Sequence, residues 1–409
     1  MTSVTSYPKE RIKVLLLENI HPSGAQMFKD DGLSVELQSA ALGESELCAK
    51  IEDVHLLGIR SKTRVTAKVL EAGRRLLSVG CYCIGTNQVD LEAACKRGVV
   101  VFNAPFSNTR SVAELVLCEV VALSRQLMDA SKGMHEGVWN KSATGSFEVR
   151  GKTLGIVGYG HIGRQVGVLA ESLGMNVLFY DIVSQLPMGN NKEMPSLQSL
   201  LANSDFVTLH VPATEQTRKM IGAEQLGQMR AGSRLLNLSR GNVVEIPALA
   251  EALRSGHLKG AAIDVFPSEP ESNKERFESP LQGLRNVILT PHVGGSTEEA
   301  QAAIGKEVTV TLLKFLNTGS TLPAVNFPRV EPSLQRGRHR ILNIHRNVPG
   351  VLSSINTIIS ELHANVESQV LETNSDVGYL VMDLDRDVSD EVRARVSALE
   401  TNIRTRILY

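Results

Sequence analysis

Cysteine is scarce and badly placed for either of its structural uses. The chain has five, an odd number, and none forms C-x-x-C or clusters with histidine at zinc-binding intervals. That pattern excludes a disulfide framework and a structural zinc site, and no metal is expected. Cys81 and Cys83 read as half-buried strand residues, not as a redox pair. Surplus charge of one sign is also missing. Lys and Arg number 43 against 44 Asp and Glu, for a net charge of -1. With both signs mixed along the chain there is no footprint for nucleic acid or an anionic membrane surface. Long apolar runs are lacking too: the N-terminal I-K-V-L-L-L is too short for a signal or spanning helix, and no small-residue cleavage pattern follows. The expectation is a soluble, reduced, cytoplasmic protein, with 409 residues for two or three domains.

What is present begins mid-chain. Gly158, Gly160 and Gly163 stand in T-L-G-I-V-G-Y-G-H-I-G, and Asp181 closes the next apolar run, N-V-L-F-Y-D. The glycines follow a buried-strand pattern, Thr153 to Val157, and open a helical one, Arg164 to Leu173. The acid falls at the roughly 20-residue distance of a dinucleotide fingerprint. Gly158 permits the tight turn, Gly160 lets backbone approach a pyrophosphate, and Gly163 lets helix pack on strand. The pyrophosphate then meets backbone N–H groups and the positive end of the helix dipole. Asp181 accepts from an adenosine ribose and repels a 2′-phosphate, so NAD is favoured over NADP. About 150 residues precede the motif, so the dinucleotide domain is inserted into, or follows, another.

Strand-like runs alternate with helical ones on both sides of the fingerprint. Before it lie Lys13–Leu17, Leu56–Arg60, Leu76–Val79 and Val99–Asn103, then a long helix from near Ser111. After it lie Leu154–Val157, Val177–Tyr180, Phe206–His210, Arg234–Asn237, Ala261–Val265 and Val287–Leu289, then a helix from Glu298 to Leu316. The fold class expected is α/β, with two doubly wound parallel sheets. Residues 317–337 are rich in Pro, Gly and Ser and read as a linker. The tail then runs β-α-β-β-α-β, the ferredoxin-like plan of a binding or regulatory module.

Three segments at strand ends carry the chemistry: L-L-N-L-S-R-G-N with Arg240, A-I-D-V-F-P-S-E-P with Asp264 and Glu269, and L-T-P-H-V-G-G with His292. Ligands in open α/β sheets bind outside the carboxyl ends of strands. A hydroxy-acid dehydrogenase needs a cation for the substrate carboxylate and carbonyl oxygen, and Arg240 offers a bidentate fork. It needs a proton acceptor with a pKa near neutrality, and His292 fits. It needs a carboxylate to orient that imidazole, and Glu269 fits.

At these residues the chain resembles the D-2-hydroxyacid dehydrogenases, over essentially its whole length. The strings that carry the likeness are R-S-K-T, C-I-G-T-N-Q-V-D, N-A-P-F-S-N-T-R-S-V-A-E-L, G-Y-G-H-I-G, S-R-G, A-A-I-D-V-F-P-S-E-P and T-P-H-V-G-G-S-T. The later H-R-N-V-P-G-V-L resembles the ligand loop of an ACT domain. The branch it looks most like is the bacterial type that oxidises 3-phospho-D-glycerate with NAD, the first step of L-serine biosynthesis.

The resemblance implies the catalytic trio Arg240, Glu269 and His292. It implies NAD contacts at Gly158, Gly160, His161, Ile162, Gly163, Asp181, Leu238, Ser239, Asp264, Gly294 and Gly295. Substrate contacts fall on Arg60, Ser61, Lys62 and Asn108, with Lys141 reaching a neighbouring subunit's site. Lys62 replaces an arginine common in the family and so loses the bidentate fork on phosphate. L-serine is the implied effector, bound at a paired ACT interface by His345, Asn347 and Asn365, whose amides offer both donor and acceptor. Gly294, Gly295 and Gly337 are the implied hinges, with Arg336-Gly337 where the family has a glycine pair. Trp139, the only tryptophan, implies a homotetramer. The implied domains are residues 1–108 with 296–336 for substrate, 109–295 for NAD, and 337–409 as the ACT module. A side reduction of 2-oxoglutarate is also implied. Two other readings stay open: a dehydrogenase for glyoxylate or hydroxypyruvate, and a non-enzymatic NAD-sensing protein like the related corepressors.

Overall fold

A computed structural model describes residues 7–270, 274–333 and 339–408. Contacts divide the chain into two units, Met1–Ser107 with Gln301–Tyr409, and Asn108–Ala300.

The first unit holds a five-stranded sheet: β1 Lys13–Leu16, β2 Ser34–Leu37, β3 Leu56–Ile59, β4 Ser78–Cys81 and β5 Val100–Asn103. All pair in parallel, in the order β2-β1-β3-β4-β5. The central strands are mostly apolar and, exposed Lys13 aside, buried on both faces, as parallel strands between helices must be. Leu15, Leu57, Ile59 and Val79 fill one side, and Phe28, Tyr82, Phe102 and Phe315 the other. β4 begins two residues later than its apolar run. The Leu76 N–H is already spent on Gly73 O in the turn before it. β2 escapes sequence reading because S-V-E-L is an exposed edge strand with no continuous apolar run.

The second unit carries seven parallel strands: β6 Thr153–Val157, β7 Asn176–Tyr180, β8 Lys192–Glu193, β9 Phe206–Leu209, β10 Arg234–Asn237, β11 Gly260–Ile263 and β12 Val287–Leu289. Their order is β12-β11-β10-β9-β6-β7-β8. The direction of winding reverses between β6 and β9, and the crevice at that switch, beyond the carboxyl ends, is where such sheets bind ligands. Two-residue β8 was not foreseen.

The C-terminal part of the first unit is an antiparallel sheet, β13 His339–Arg346, β14 Val366–Thr373, β15 Val377–Leu384 and β16 Asn402–Leu408, in the order β14-β15-β13-β16. Helices Val351–Glu361 and Ser389–Ser397 cover one face through Ile355, Ile359, Val392 and Val396. The opposite face, with Leu342, Ile344 and Tyr379, joins the core around Phe315. Arg340 is pinned there. It grips both oxygens of Asp383 at 2.6 and 2.8 Å, and donates to Thr318 O at 3.0 Å and Ser333 O at 2.7 Å.

Candidate active site

The glycine loop sits where the topology predicts. Gly158 follows β6 with φ +90°, a conformation that favours glycine, and an added Cβ there would meet His210 O at 2.6 Å. At Gly163 a Cβ would lie 2.3 Å from Gly158 O, so only glycine lets the helix His161–Ser172 pack this close. At Gly160 a Cβ would meet nothing within 4 Å. The helix starts there without a side-chain cap. His161 and Ile162 form its first turn. A tight turn, an uncapped helix start and open space over Gly160 fit a dinucleotide pyrophosphate. Asp181 caps the arrangement from β7, accepting from Tyr159 N–H at 2.8 Å and Val183 N–H at 3.1 Å.

β10 and β11 deliver the other groups. After β10, buried Asn237 accepts from the N–H and hydroxyl of Ser239 at 3.1 and 2.8 Å and donates to Arg240 O at 3.0 Å. Leu238 is buried within this turn. The Arg240 guanidinium donates to Ser239 O at 2.7 Å. After β11, Asp264 is 1% exposed. Its carboxylate accepts from the Thr290 hydroxyl at 2.6 Å, Val293 N–H at 2.8 Å and Gly294 N–H at 2.9 Å. Its carbonyl accepts from His292 N–H at 2.8 Å. This clamp holds His292 at φ +55°, a conformation uncommon outside glycine.

His292 Nδ1 stands 2.8 Å from Glu269 Oε2, and Glu269 Oε1 accepts from Phe266 N–H at 3.1 Å. The Glu269 hydrogen bond raises the His292 imidazole above its usual range, against burial and the Arg240 charge. Burial by itself pushes the Glu269 carboxyl up. The His292 hydrogen bond, the Phe266 N–H and the charges of His292 and Arg240 outweigh it and hold the group below its ordinary value. Arg240, Glu269 and His292 therefore share one electrostatic neighbourhood. Such a base, oriented by a carboxylate and near a guanidinium, can take a proton from a hydroxyl beside a carboxylate.

Asn108 belongs to the same unit. A Cβ on Gly295 would lie 2.4 Å from its side-chain nitrogen, so glycine is needed for that approach. Arg60, Ser61 and Lys62 lie in the other unit, just beyond β3. Their loop is held by Glu18, whose carboxylate accepts from Arg60 N–H at 3.1 Å, Lys62 N–H at 2.9 Å and Thr63 N–H at 2.8 Å. Ser61 and Lys62 are exposed. Lys141 and Trp139 are exposed in the single chain.

His345 is buried and its Nδ1 lies 2.8 Å from Asn343 Oδ1. Asn347 donates to Asp376 O and Asn374 O at the end of β13. Asn365 precedes β14 and donates its N–H to Asp385 at 2.9 Å. The register places His345 opposite Gly378 and Val366 opposite Leu384. Asn347 and Asn365 thus stand at opposite ends of strands spanning roughly 20 Å, and one chain does not bring them together. Arg336 and Gly337 lie outside the described residues.

Sequence reasoning missed three groups. Glu18 and Asn237 make their bonds across turns that no motif flagged. Glu119, on the helix Thr109–Arg125, is 2% exposed, and neither carboxyl oxygen has a partner among the described residues. Burial, then the Asp264 charge, pushes it up to about 8. Its signal was available: an acid in the apolar series Val112, Val116, Val120, Leu123.

Residues 117–294 match the family model of the D-isomer specific 2-hydroxyacid dehydrogenase, NAD binding domain. Residues 341–404 match an AHAS small subunit-like ACT domain. The chain is 54% identical over 409 residues to the D-3-phosphoglycerate dehydrogenase of Dictyostelium discoideum, covering 100% of both. It is 51% identical to that of Escherichia coli K12, covering 99% of both. A crystal structure of D-lactate dehydrogenase from Aquifex aeolicus, complexed with NAD and lactic acid, superposes with a TM-score of 0.66 at 25% identity. It covers 78% of this chain and 100% of that one.

Proposed function

This chain belongs to the D-isomer specific 2-hydroxyacid dehydrogenases, alongside its D-3-phosphoglycerate dehydrogenase relatives, and from that membership we propose that it oxidises 3-phospho-D-glycerate to 3-phosphohydroxypyruvate with NAD. The observation that carries the reading is the 2.8 Å pair of His292 and Glu269 on a loop clamped by Asp264. Bound NAD supplies the hydride acceptor. Arg240 holds the substrate carboxylate. His292 takes the hydroxyl proton as the C–H bond breaks, and Glu269 stabilises the imidazolium that results. Reduction runs in reverse and needs protonated His292. Gly158 to Gly163 and Asp181 hold the cofactor's adenosine and pyrophosphate. Leu238, Ser239, Asp264, Gly294 and Gly295 border its nicotinamide end.

Arg60, Ser61 and Lys62 take the substrate phosphate, Asn108 a further contact, and Lys141 serves a neighbouring subunit. This phosphate reading separates the chain from a glyoxylate or hydroxypyruvate enzyme. The ACT match supports an amino-acid effector. We assign that effector as L-serine, held by His345 and Asn347 of one copy and Asn365 of another, because these groups stand apart within one chain. A homotetramer, a cytoplasmic location, a side reduction of 2-oxoglutarate and the three-domain division at residues 108, 295 and 336 complete the proposal. The test is the rate of NADH oxidation with 3-phosphohydroxypyruvate, with and without L-serine. A fast rate suppressed by serine is expected. No rate overturns the substrate, and a rate untouched by serine overturns the effector.

A further inference from the structure

After the helix Leu127–His135 the chain runs through an exposed loop before it enters β6. Both ends of that loop are tied down. At the outgoing end Val138 donates its N–H to Gly133 O at 2.8 Å. At the returning end Gln126 Nε2 donates to Thr144 O at 3.0 Å, and Phe147 N–H donates to Ser124 O at 3.1 Å. Between these ties, among the described residues, no hydrogen bond joins 139–143 to a helix or to the sheet. Trp139 and Lys141 lie in this stretch, and both are exposed.

Side chains hold the returning end as well. Phe147 is half-buried and packs beside Phe206, ring centres 6.4 Å apart. Two cations lie over its ring: the Arg234 guanidinium carbon at 4.2 Å and Lys152 Nζ at 5.1 Å from its centre. Arg234 is buried and lies over Phe206 too, at 5.3 Å. Its Nη1 donates to Gly232 O at 3.0 Å, and its Nε has no acceptor among the described residues. The Asp205 charge reaches it, but that carboxylate accepts from Thr153 N–H and from Arg230, each at 2.9 Å. A desolvated guanidinium with few acceptors is where an aromatic face attracts most strongly. Burial pushes Arg234 down to about 10, so the cation persists at neutral pH. Thr153, Phe206 and Arg234 open β6, β9 and β10. The clasp therefore sits at the amino ends of the strands, the edge opposite the one that carries the glycine loop, Arg240 and Asp264.

We propose that Phe147, clasped by Arg234 and Lys152, is a positioning residue that fixes where the loop 138–146 presents Lys141 to a second copy of this chain. Its role rests on Lys141 serving a neighbouring subunit's site, as proposed above. A loop fixed at both ends has already given up freedom that binding would otherwise have to remove. Phe147 touches no substrate and acts through Lys141, so its effect falls on substrate affinity and not on the hydride step.

The full-length chain is assayed with 3-phosphohydroxypyruvate and NADH. Lys141→Ala is expected to raise KM about tenfold, and Phe147→Ala to raise it by a similar factor with kcat within about twofold. The double variant should be no worse than the worse single one, because the two residues act in series. Phe147→Tyr keeps the ring and should keep the parent KM; a KM as high as that of Phe147→Ala refutes the ring's role. Trp139 is the only tryptophan and stands on the loop, so its anisotropy decay reads the clasp directly. Phe147→Ala should add a nanosecond component absent from the parent. An unchanged KM in Phe147→Ala beside a raised one in Lys141→Ala, or effects that multiply in the double variant, overturns the positioning role and leaves Lys141 in place. An unchanged KM in Lys141→Ala overturns both. Should Phe147→Ala fail to fold, Arg234→Met removes one cation of the clasp and the same decay decides. A new nanosecond component supports the clasp, and a parent-like decay refutes it.

Discussion

Glu269→Gln removes one negative charge beside His292 while keeping side-chain size and an acceptor for the Phe266 N–H. In the parent chain the carboxylate lies 2.8 Å from Nδ1 and favours the imidazolium. A hydrogen bond to a charged partner contributes about 1.5–3 kcal/mol. The two side chains are 52% and 35% exposed, so screening puts the effect at the low end of that range. At about 1.4 kcal/mol per decade of rate, turnover in the oxidation direction should fall roughly tenfold, with the KM for NAD unchanged. The pH profile gives the sharper readout. Oxidation needs neutral His292, so the parent loses rate as pH falls through the raised imidazole pKa. The variant stabilises the imidazolium less, and its acid limb moves to lower pH. Reduction needs the imidazolium, so its alkaline limb also moves to lower pH, and the variant loses more at pH 8 than at pH 6. The assay is steady-state NADH formation and oxidation from pH 5 to 9 at fixed ionic strength. Turnover within twofold of the parent, with both limbs unmoved, would refute Glu269 as the partner of His292.

Glu18→Ala releases three N–H groups of the loop bearing Arg60 and Lys62. It should raise the KM for 3-phosphohydroxypyruvate about tenfold, roughly 1.4 kcal/mol, while leaving unphosphorylated hydroxypyruvate within twofold. Equal effects on both substrates would remove the phosphate role of this loop. Asp383→Ala strands buried Arg340 and should cost about 3–5 kcal/mol of stability, read by denaturant unfolding. A loss below about 1 kcal/mol contradicts that picture. Glu119→Gln concerns a carboxyl raised from 4.5 to about 8. The native state binds its proton more tightly than the unfolded chain, so the parent loses stability as pH rises from about 4.5 to 8. The variant should escape this loss, and its advantage in unfolding free energy, read by denaturant titration, should grow across that window to a few kcal/mol, as an order-of-magnitude ceiling from about 1.4 kcal/mol per pH unit. A pH-independent difference between the two proteins would show that Glu119 does not titrate there.

Much of the fold was legible because its information is local. Parallel strands covered on both faces, β5 at the sheet's end included, declare themselves as the apolar runs V-L-L, L-L-G-I and V-V-F-N. Gly158 and Gly163 declare themselves because a turn and a helix–strand contact exclude any Cβ. Arg240, Glu269 and His292 were legible from residue type and from their places after strands. Strands β2 and β8 were not, since their side chains are largely exposed and need no apolar code.

What tertiary structure alone decided are relations between distant residues. Glu18 meets the loop at residues 60–63 more than 40 positions away. Asp264 sets the loop that carries His292 from nearly 30 positions away. Asn347 and Asn365 are close in sequence, yet sheet register sends them to opposite ends of one module. Arg406 looks like an ordinary charged residue in R-T-R-I-L-Y, and only packing sets its guanidinium against the Phe315 ring with Nη1 out of solvent. Sequence specifies which groups a segment owns and the periodicity of its backbone. Burial, charge balance and partnership are properties of the space between segments, and that space exists only once the chain has folded.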